Sequence, residues 1–326
     1  MEQRPLGQTG LTVSALGFGC GAVGGLMVRG DPAEQRRAVT RALEAGITYF
    51  DTAATYGDGQ SEAHLGEVMR DLDAWSRVVV GTKVRLSSEE MHRPRAAIRS
   101  SIEASLRRLG RDWVDVVYLH NRVVLSSRDG TDLDLSGALG DVALGLQDVV
   151  EAGLARHAGF TGLGESAALR EMLSNAPFEV VQAYFNVVNP SAGYTGDVED
   201  QQDFEGLIDT AARAGRGVVV IRVLAGGAAA ASTQRAPNAG DPGGPLAAGS
   251  TYAGDVARAA QLASLASDLG MESQIELALR FGLSKRGVST VLVGYSNLDQ
   301  LEQAIRFAER GPLPDSAVQQ VLGHTL

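Results

Sequence analysis

The chain is poor in several residue types, and each shortage excludes a class of protein. A single cysteine, Cys20, among 326 residues leaves no intrachain disulfide and no thiolate metal cluster; it reads as a small apolar side chain. The five histidines, His64, His92, His120, His157 and His324, show neither His-x-His nor His-Glu-x-x-His, the spacings that turn two imidazoles toward one metal. A metal-dependent barrel hydrolase would lack its usual ligands here. There is no surplus of basic residues. Twenty-nine Lys and Arg against 39 Asp and Glu give a net charge of −10, whereas nucleic acid or an anionic membrane asks for a basic face. No apolar run reaches the roughly eighteen residues of a spanning helix, and Met1-Glu-Gln-Arg-Pro5 has no apolar signal segment. The expectation is a soluble, cytoplasmic protein. Aromatic residues make up 5% of the chain and hydrophobic ones 44%, so the core is to be built mainly of Val, Leu, Ile and Ala.

What the chain does have is rhythm. Apolar strands are expected at 15–19, 47–50, 78–82, 114–119, 156–160, 179–184, 218–223 and 290–293. Helical spacing fills 32–45, 61–71, 94–109, 138–152, 165–174, 202–214, 271–284 and 297–309. Residues 4–14 read as a small hairpin turning at Gln8-Thr-Gly10, and 314–322 as a last helix. Val218-Val-Val-Ile221 is continuously apolar, as a strand covered on both faces should be. Such alternation makes either a closed eight-stranded barrel or an open doubly wound sheet. The open sheet would place Gly-x-Gly-x-x-Gly between its first strand and a helix. Gly19, Gly21 and Gly24 match that pattern, but Gly25 and Gly30 keep the segment loop-like. The reading is therefore one (α/β)8 TIM barrel domain over 1–326. Two insertions interrupt it: a polar one at 121–137 and a longer one at 225–254, built largely of Ala, Gly and Pro. The second has little means to pack and is expected to be mobile until a ligand closes it.

Three consecutive strands end in polar residues. Asp51 follows Ile47-Thr-Tyr-Phe50, Lys83 follows Val78-Val-Val-Gly-Thr82, and His120 follows Val114-Asp-Val-Val-Tyr-Leu119; Tyr56 lies just past the first. Singly, an Asp there is commonly a turn former, a Lys a solvated end and a His a structural residue. In a parallel barrel, however, the C-terminal strand ends share one face, where active sites sit. A carboxylate, an ammonium, an imidazole and a phenol would meet there.

Gly46-Ile-Thr-Tyr-Phe-Asp-Thr-Ala-Ala-Thr-Tyr-Gly57, Gly81-Thr-Lys83 and Tyr118-Leu-His120 resemble the aldo-keto reductases, together with Leu6-Gly-Gln-Thr-Gly-Leu-Thr-Val-Ser14 and Val293-Gly-Tyr-Ser-Asn-Leu-Asp-Gln300. The resemblance covers almost the whole chain, in order. It implies a hairpin-capped (α/β)8 barrel and metal-free reduction of an aldehyde or ketone by NADPH, with NAD as the other candidate, or the reverse oxidation, as of an aldose. Tyr56 would be the general acid, Lys83 would draw its pKa down, Asp51 would hold Lys83, and His120 would orient the carbonyl. For the cofactor the resemblance points to Gln182 at the nicotinamide carboxamide and to Thr161 where the family has Ser-Asn. Arg222 and Leu224 stand in the segment that usually reads aromatic-Ser-Pro-Leu, and Gly294, Ser296 and Gln300 in the last motif. Ser296 stands where an Arg often clamps the 2′-phosphate, so one bidentate contact is lost. The family also contains potassium-channel β subunits, which gives a binding-subunit alternative. The substrate is expected to meet loop residues: Val23 to Val28, Asn121, Arg122, the two insertions and, less directly, Trp75 or Met91. Asn121 and Arg122 suggest a sugar-like or anionic carbonyl compound.

Overall fold

A computed structural model describes residues 1–127, 132–174, 177–196, 198 and 200–326. Eight parallel strands close into a barrel: β1 (Leu16–Gly19), β2 (Tyr49–Asp51), β3 (Val79–Val84), β4 (Val114–Leu119), β5 (Ala155–Thr161), β6 (Phe178–Tyr184), β7 (Gly217–Ile221) and β8 (Thr290–Gly294). Each strand pairs with the next, and β8 returns to β1 through Val291↔Leu16 to Gly294↔Gly19. The expected strand positions hold to within two residues at each end, and Asp51 and Lys83 prove to be rungs of their ladders rather than residues beyond them, Asp51 the last of its strand and Lys83 the last but one.

A principal helix follows each strand: α1 (Pro32–Glu44), α2 (Gln60–Asp71), α3 (Pro94–Leu109), α4 (Ala143–Glu151), α5 (Ser166–Leu173), α6 (Leu207–Arg213), α7 (Gln274–Ser284) and α8 (Leu298–Glu309), with two more helices, Tyr252–Gln261 and Ala263–Asp268, ahead of α7 and the expected last helix at Asp315–Thr325. Local chemistry sets several of their starts. Asp31 caps α1 by accepting from the Ala33 and Glu34 amides, with Pro32 opening the first turn. Asn297 caps α8 at the Gln300 amide. Two expectations are corrected. The segment after β1 is not wholly loop: Leu26–Arg29 makes one helical turn between Gly25 and Gly30, though no dinucleotide-type helix opens there. The helix expected at 138–152 begins only at Ala143, preceded by a wide turn at Ala138–Val142 that breaks at Gly140. Positions 128–131 of the first insertion lie outside the described residues.

The core has two layers, as strand alternation requires. One lies between strands and helices and holds most of the buried Val, Leu and Ala side chains. The other fills the barrel with Tyr49, Val79, Val116, Tyr118, Val180, Val219 and Leu292. The hairpin Gln3–Pro5 and Thr12–Ser14 closes the N-terminal end, sending Leu6 and Val13 into that inner layer. Midway up, the Tyr49 and Tyr118 hydroxyls meet at 2.6 Å. Gly81 makes this meeting room: a Cβ there would stand 2.8 Å from the Tyr49 oxygen and 2.9 Å from the Tyr118 ring. The tyrosines form a floor, and the polar residues of β2, β3 and β6 stand above it.

Candidate active site

Inward-facing positions alternate along each strand, so Tyr49 and Asp51 share a column, as do Gly81 and Lys83, and Tyr118 and His120. Closing the barrel brings the columns together. Lys83 donates to Asp51 Oδ1 in an ion pair buried to 2% and 4% exposure, and also to the Thr52 carbonyl at 2.8 Å. Its ammonium lies 4.7 Å from the Tyr56 ring centroid. The His120 ring meets the Tyr56 ring edge-on, centroids 6.1 Å apart at 86°. The four residues expected to meet do meet.

Tyr56 reaches the site from a tight loop. Asp58 (φ 50°) lies between Gly57 (φ 61°) and Gly59 (φ 87°), three successive left-handed residues, which a glycine-flanked Asp tolerates better than most sequences. The loop is tied down behind the tyrosine. Ser61 donates its hydroxyl to the Cys20 carbonyl at 2.9 Å and its amide to the Tyr56 carbonyl at 3.2 Å. Buried Glu62 accepts from Thr82 and pairs with Arg108.

Burial and charge set the protonation states. Burial acts to lower the pKa of Lys83, but the neighbouring Asp51 carboxylate and Tyr56 outweigh it, so the ammonium holds its proton more firmly than usual. Burial pushes the Asp51 carboxyl up against the opposing pull of Lys83 and Gln182. Tyr56 is also pushed up by burial; Lys83 pulls it down, as expected of a cation, but does not overcome burial. The phenol is therefore protonated at neutral pH. His120 is pushed down to about 3, first by burial and then by Lys83 and Arg85, so its imidazole is neutral. Among the described residues its Nδ1, which is buried, has no partner.

The expected cofactor residues divide into two groups. Arg222, Leu224, Gly294, Ser296 and Gln300 line one cavity of about 370 Å³ at the C-terminal ends of β7 and β8. Thr161 and Gln182 do not. The Gln182 amide donates to Asp51 Oδ2 and accepts from the Thr161 hydroxyl at 3.2 Å, which extends the buried chain to Thr161–Gln182–Asp51–Lys83. The cavity lining holds two guanidiniums, Arg222 and Arg235, and no carboxylate, in a chain of net charge −10. Arg222 takes a left-handed backbone (φ 57°) and donates to the Pro242 carbonyl at 2.8 Å. Arg235 donates to the Gly226 carbonyl at 3.1 Å and the Tyr252 hydroxyl at 3.2 Å, while its buried Nε has no partner among the described residues.

The 225–254 insertion is not the unanchored loop that its composition suggested. Ala228, Ala229 and Ala247 are buried. Asn238 donates to the Ser296 carbonyl at 2.9 Å and accepts from Arg29 at 2.8 Å, and the Gly240 amide donates to the Val23 carbonyl at 3.0 Å. The segment is thus strapped from β7 across to the loops after β1 and β8. Arg235, one side chain within an Ala/Gly/Pro-rich stretch, gave no sequence signal of this.

The expected substrate residues fare differently. Asn121 is buried and clamps the Leu86 backbone, accepting from its amide at 2.9 Å and donating to its carbonyl at 2.8 Å. Arg122 pairs with Asp132 at 3.7 Å and reaches toward the Leu246 carbonyl. Trp75 lies in the turn before β3, at the opposite end of the barrel, against Arg111. Neither Asn121 nor Trp75 faces the tetrad. Among the described residues no three His, Cys, Asp or Glu side chains are grouped to hold a metal ion, and no helix is long and apolar enough to cross a membrane.

Comparison with known proteins agrees with this fold. The family model described as "Aldo/keto reductase family" matches residues 15–325. L-galactose dehydrogenase of Arabidopsis thaliana is 28% identical over 94% of this chain and 87% of its own length. Pyridoxal 4-dehydrogenase of Microbacterium luteolum is 25% identical over 96% and 94%. The solved aldo-keto reductase AKR11C1 from Bacillus halodurans (holo form) shares the fold with a TM-score of 0.73 at 22% identity, covering 100% of this chain and 97% of that one. The chain belongs to the aldo-keto reductase family, oxidoreductases that act on carbonyl and alcohol groups.

Proposed function

We propose that the protein interconverts an aldehyde or ketone and its alcohol using NADP(H), with Tyr56 as general acid in reduction and general base in oxidation. The observation that carries this reading is the buried Asp51–Lys83 pair with its ammonium against Tyr56 and a neutral His120 beside it. When bound, the nicotinamide supplies or accepts the hydride. The remaining work falls to the chain's own residues. A carbonyl taking hydride develops an alkoxide. The protonated Tyr56 phenol gives it a proton, and the Lys83 ammonium stabilises the phenolate left behind. Asp51 keeps Lys83 charged and in place. The neutral imidazole of His120 can donate a hydrogen bond to the carbonyl oxygen without itself being an acid.

The chemistry of the cavity lining supports the nucleotide part of such a cofactor. Two guanidiniums, no carboxylate and the Asn297-capped start of α8 suit phosphate groups. Arg222, Arg235, Leu224, Gly294, Ser296 and Gln300 would hold the nucleotide part. Gln182 and Thr161, next to Asp51, would stand nearest the nicotinamide end. NADP(H) is preferred on family resemblance and NAD(H) is the alternative. The Arabidopsis and Microbacterium relatives are both named dehydrogenases, which favours assaying oxidation as well as reduction. The test is a panel of aldehydes, ketones, aldoses and alcohols, followed by nicotinamide absorbance with each coenzyme in both directions. Turnover of at least one class is expected. A protein that binds NADPH and turns over none would be a binding subunit instead.

The strap over the cavity gives a second expectation. Nucleotide entering beneath 225–254 would bridge Arg222 and Arg235, the two side chains that already tie the strap. Amide exchange across 232–246 should slow when NADPH is added. Unchanged exchange there, with binding shown independently, would mean that the strap takes no part in holding the cofactor.

A further inference from the structure

Asn121 and Arg122, the polar substrate residues that the sequence suggested, are otherwise engaged, but the structure puts a different cation at the mouth. Arg85 immediately follows β3, two residues past Lys83. Side chains two apart on an extended segment share a face, so Arg85 continues the inward column of Gly81 and Lys83 one rung toward solvent. Its backbone is held extended on both sides. The His120 amide donates to the Val84 carbonyl at 2.8 Å, and the Asn121 side chain bonds both the amide and the carbonyl of Leu86. Asn121 thus prolongs the β3–β4 ladder past the strand ends. The register Lys83↔Tyr118 and Val84↔Leu119 sets Arg85 opposite His120. The flanking Val84 and Leu86 are buried while Arg85 is exposed, so the alternation continues through it. Among the described residues Arg85 makes no hydrogen bond or ion pair. Glu90, in the same loop, is spent capping the Ser87 amide at 2.8 Å. The positive field of Arg85 is felt at the catalytic imidazole, where it helps to suppress protonation.

Resting on the carbonyl–alcohol reading above, we infer that Arg85 is a specificity-determining residue and that the substrate carries an anionic group, carboxylate or phosphate, a few bonds from its reacting carbon. An unpaired guanidinium at the mouth, opposite His120, attracts such a group and offers it a two-pronged contact. Asn121 acts through Arg85 as a positioning residue. This substrate class differs from the uncharged sugar named for the Arabidopsis relative.

The test uses matched aldehydes that differ in charge: glyceraldehyde against glyceraldehyde 3-phosphate, and butanal against succinate semialdehyde. Wild-type kcat/KM should favour the charged member of at least one pair, and which pair tells phosphate from carboxylate. Arg85→Gln should lower kcat/KM for that charged member by about 10- to 100-fold, mainly through KM, while its neutral twin changes by less than about twofold. Arg85→Lys should fall between, since the charge remains and the fork is lost. Added salt should raise KM for the charged member alone. The neutral twin serves as the folding control within the same variant. Equal use of charged and neutral members by the wild type, or an equal loss of both in Arg85→Gln, overturns the inference and leaves the reductase reading intact. If none of the four is reduced and none of the matching alcohols is oxidised by protein that binds NADPH, the inference is overturned, and the carbonyl–alcohol reading falls with it only where the wider panel of ketones, aldoses and alcohols is not turned over either.

Discussion

Replacing Tyr56 by Phe is expected to lower carbonyl reduction by about 10²- to 10⁴-fold, the range for a proton-transfer group, with the Kd for NADPH nearly unchanged. The substitution removes one hydroxyl and keeps the ring that meets His120 and Lys83. The cofactor cavity is lined from β7, β8, α7, α8 and the strap, without Tyr56, which is why binding and chemistry should separate. The pH profile carries a second signature. Burial raises the Tyr56 pKa and Lys83 only partly offsets this. Reduction draws on the protonated phenol, so it should be flat through neutral pH and fall toward alkaline pH. Oxidation draws on the phenolate, so it should climb over the same range. The Phe variant should show neither limb. Steady-state rates against pH and coenzyme fluorescence titration measure both halves. Near wild-type reduction by Tyr56→Phe would show that the tetrad does not perform the chemistry.

Lys83→Met should damage stability and activity together. It leaves Asp51 buried at 4% exposure with its charge uncompensated, and breaking a buried pair by removing one partner costs about 3–5 kcal/mol. The urea midpoint should fall accordingly. Asp51→Met should cost a similar amount by stranding the Lys83 ammonium. The double variant, with both charges removed together, should recover much of the stability while staying inactive, because the stability cost comes from an unpaired buried charge rather than from a lost attraction. In catalysis, Tyr56→Phe/Lys83→Met should lose far less than the sum of the two single losses, since the two groups act as one proton-transfer unit. If Lys83→Met unfolds at the wild-type urea midpoint, the pair contributes no net stability. If the double variant Asp51→Met/Lys83→Met is no more stable than either single one, stranded charge is not the cause of the loss.

The sequence by itself determined the eight-strand rhythm, the hairpin lid and the tetrad. These rest on local signals: apolar runs of strand length, helical spacing between them, the turn at Gln8-Thr-Gly10, and a polar residue at the end of each of three successive strands. Parallel barrel geometry then carries those ends to one rim, so a one-dimensional pattern was enough. What only the tertiary structure decided depends on which side chains meet across the closed barrel. Gln182 turned its amide to Asp51, 131 positions away, a pairing that no spacing reveals. Asn121 and Arg122 looked like substrate residues because they follow His120, yet one is buried as a backbone clamp and the other turns to Asp132. Arg85 looked like loop because its strand was expected to stop at Thr82; three further residues of extended backbone, held by that clamp, put it on the inward column. The 225–254 stretch looked loose because alanine and glycine carry no packing signal of their own. It is docked by Arg29, 209 positions from Asn238, and by Arg235 reaching back to Gly226. Strand order is written in the local period of a chain; the partners of a long polar side chain are written only in the surface that comes to lie opposite it.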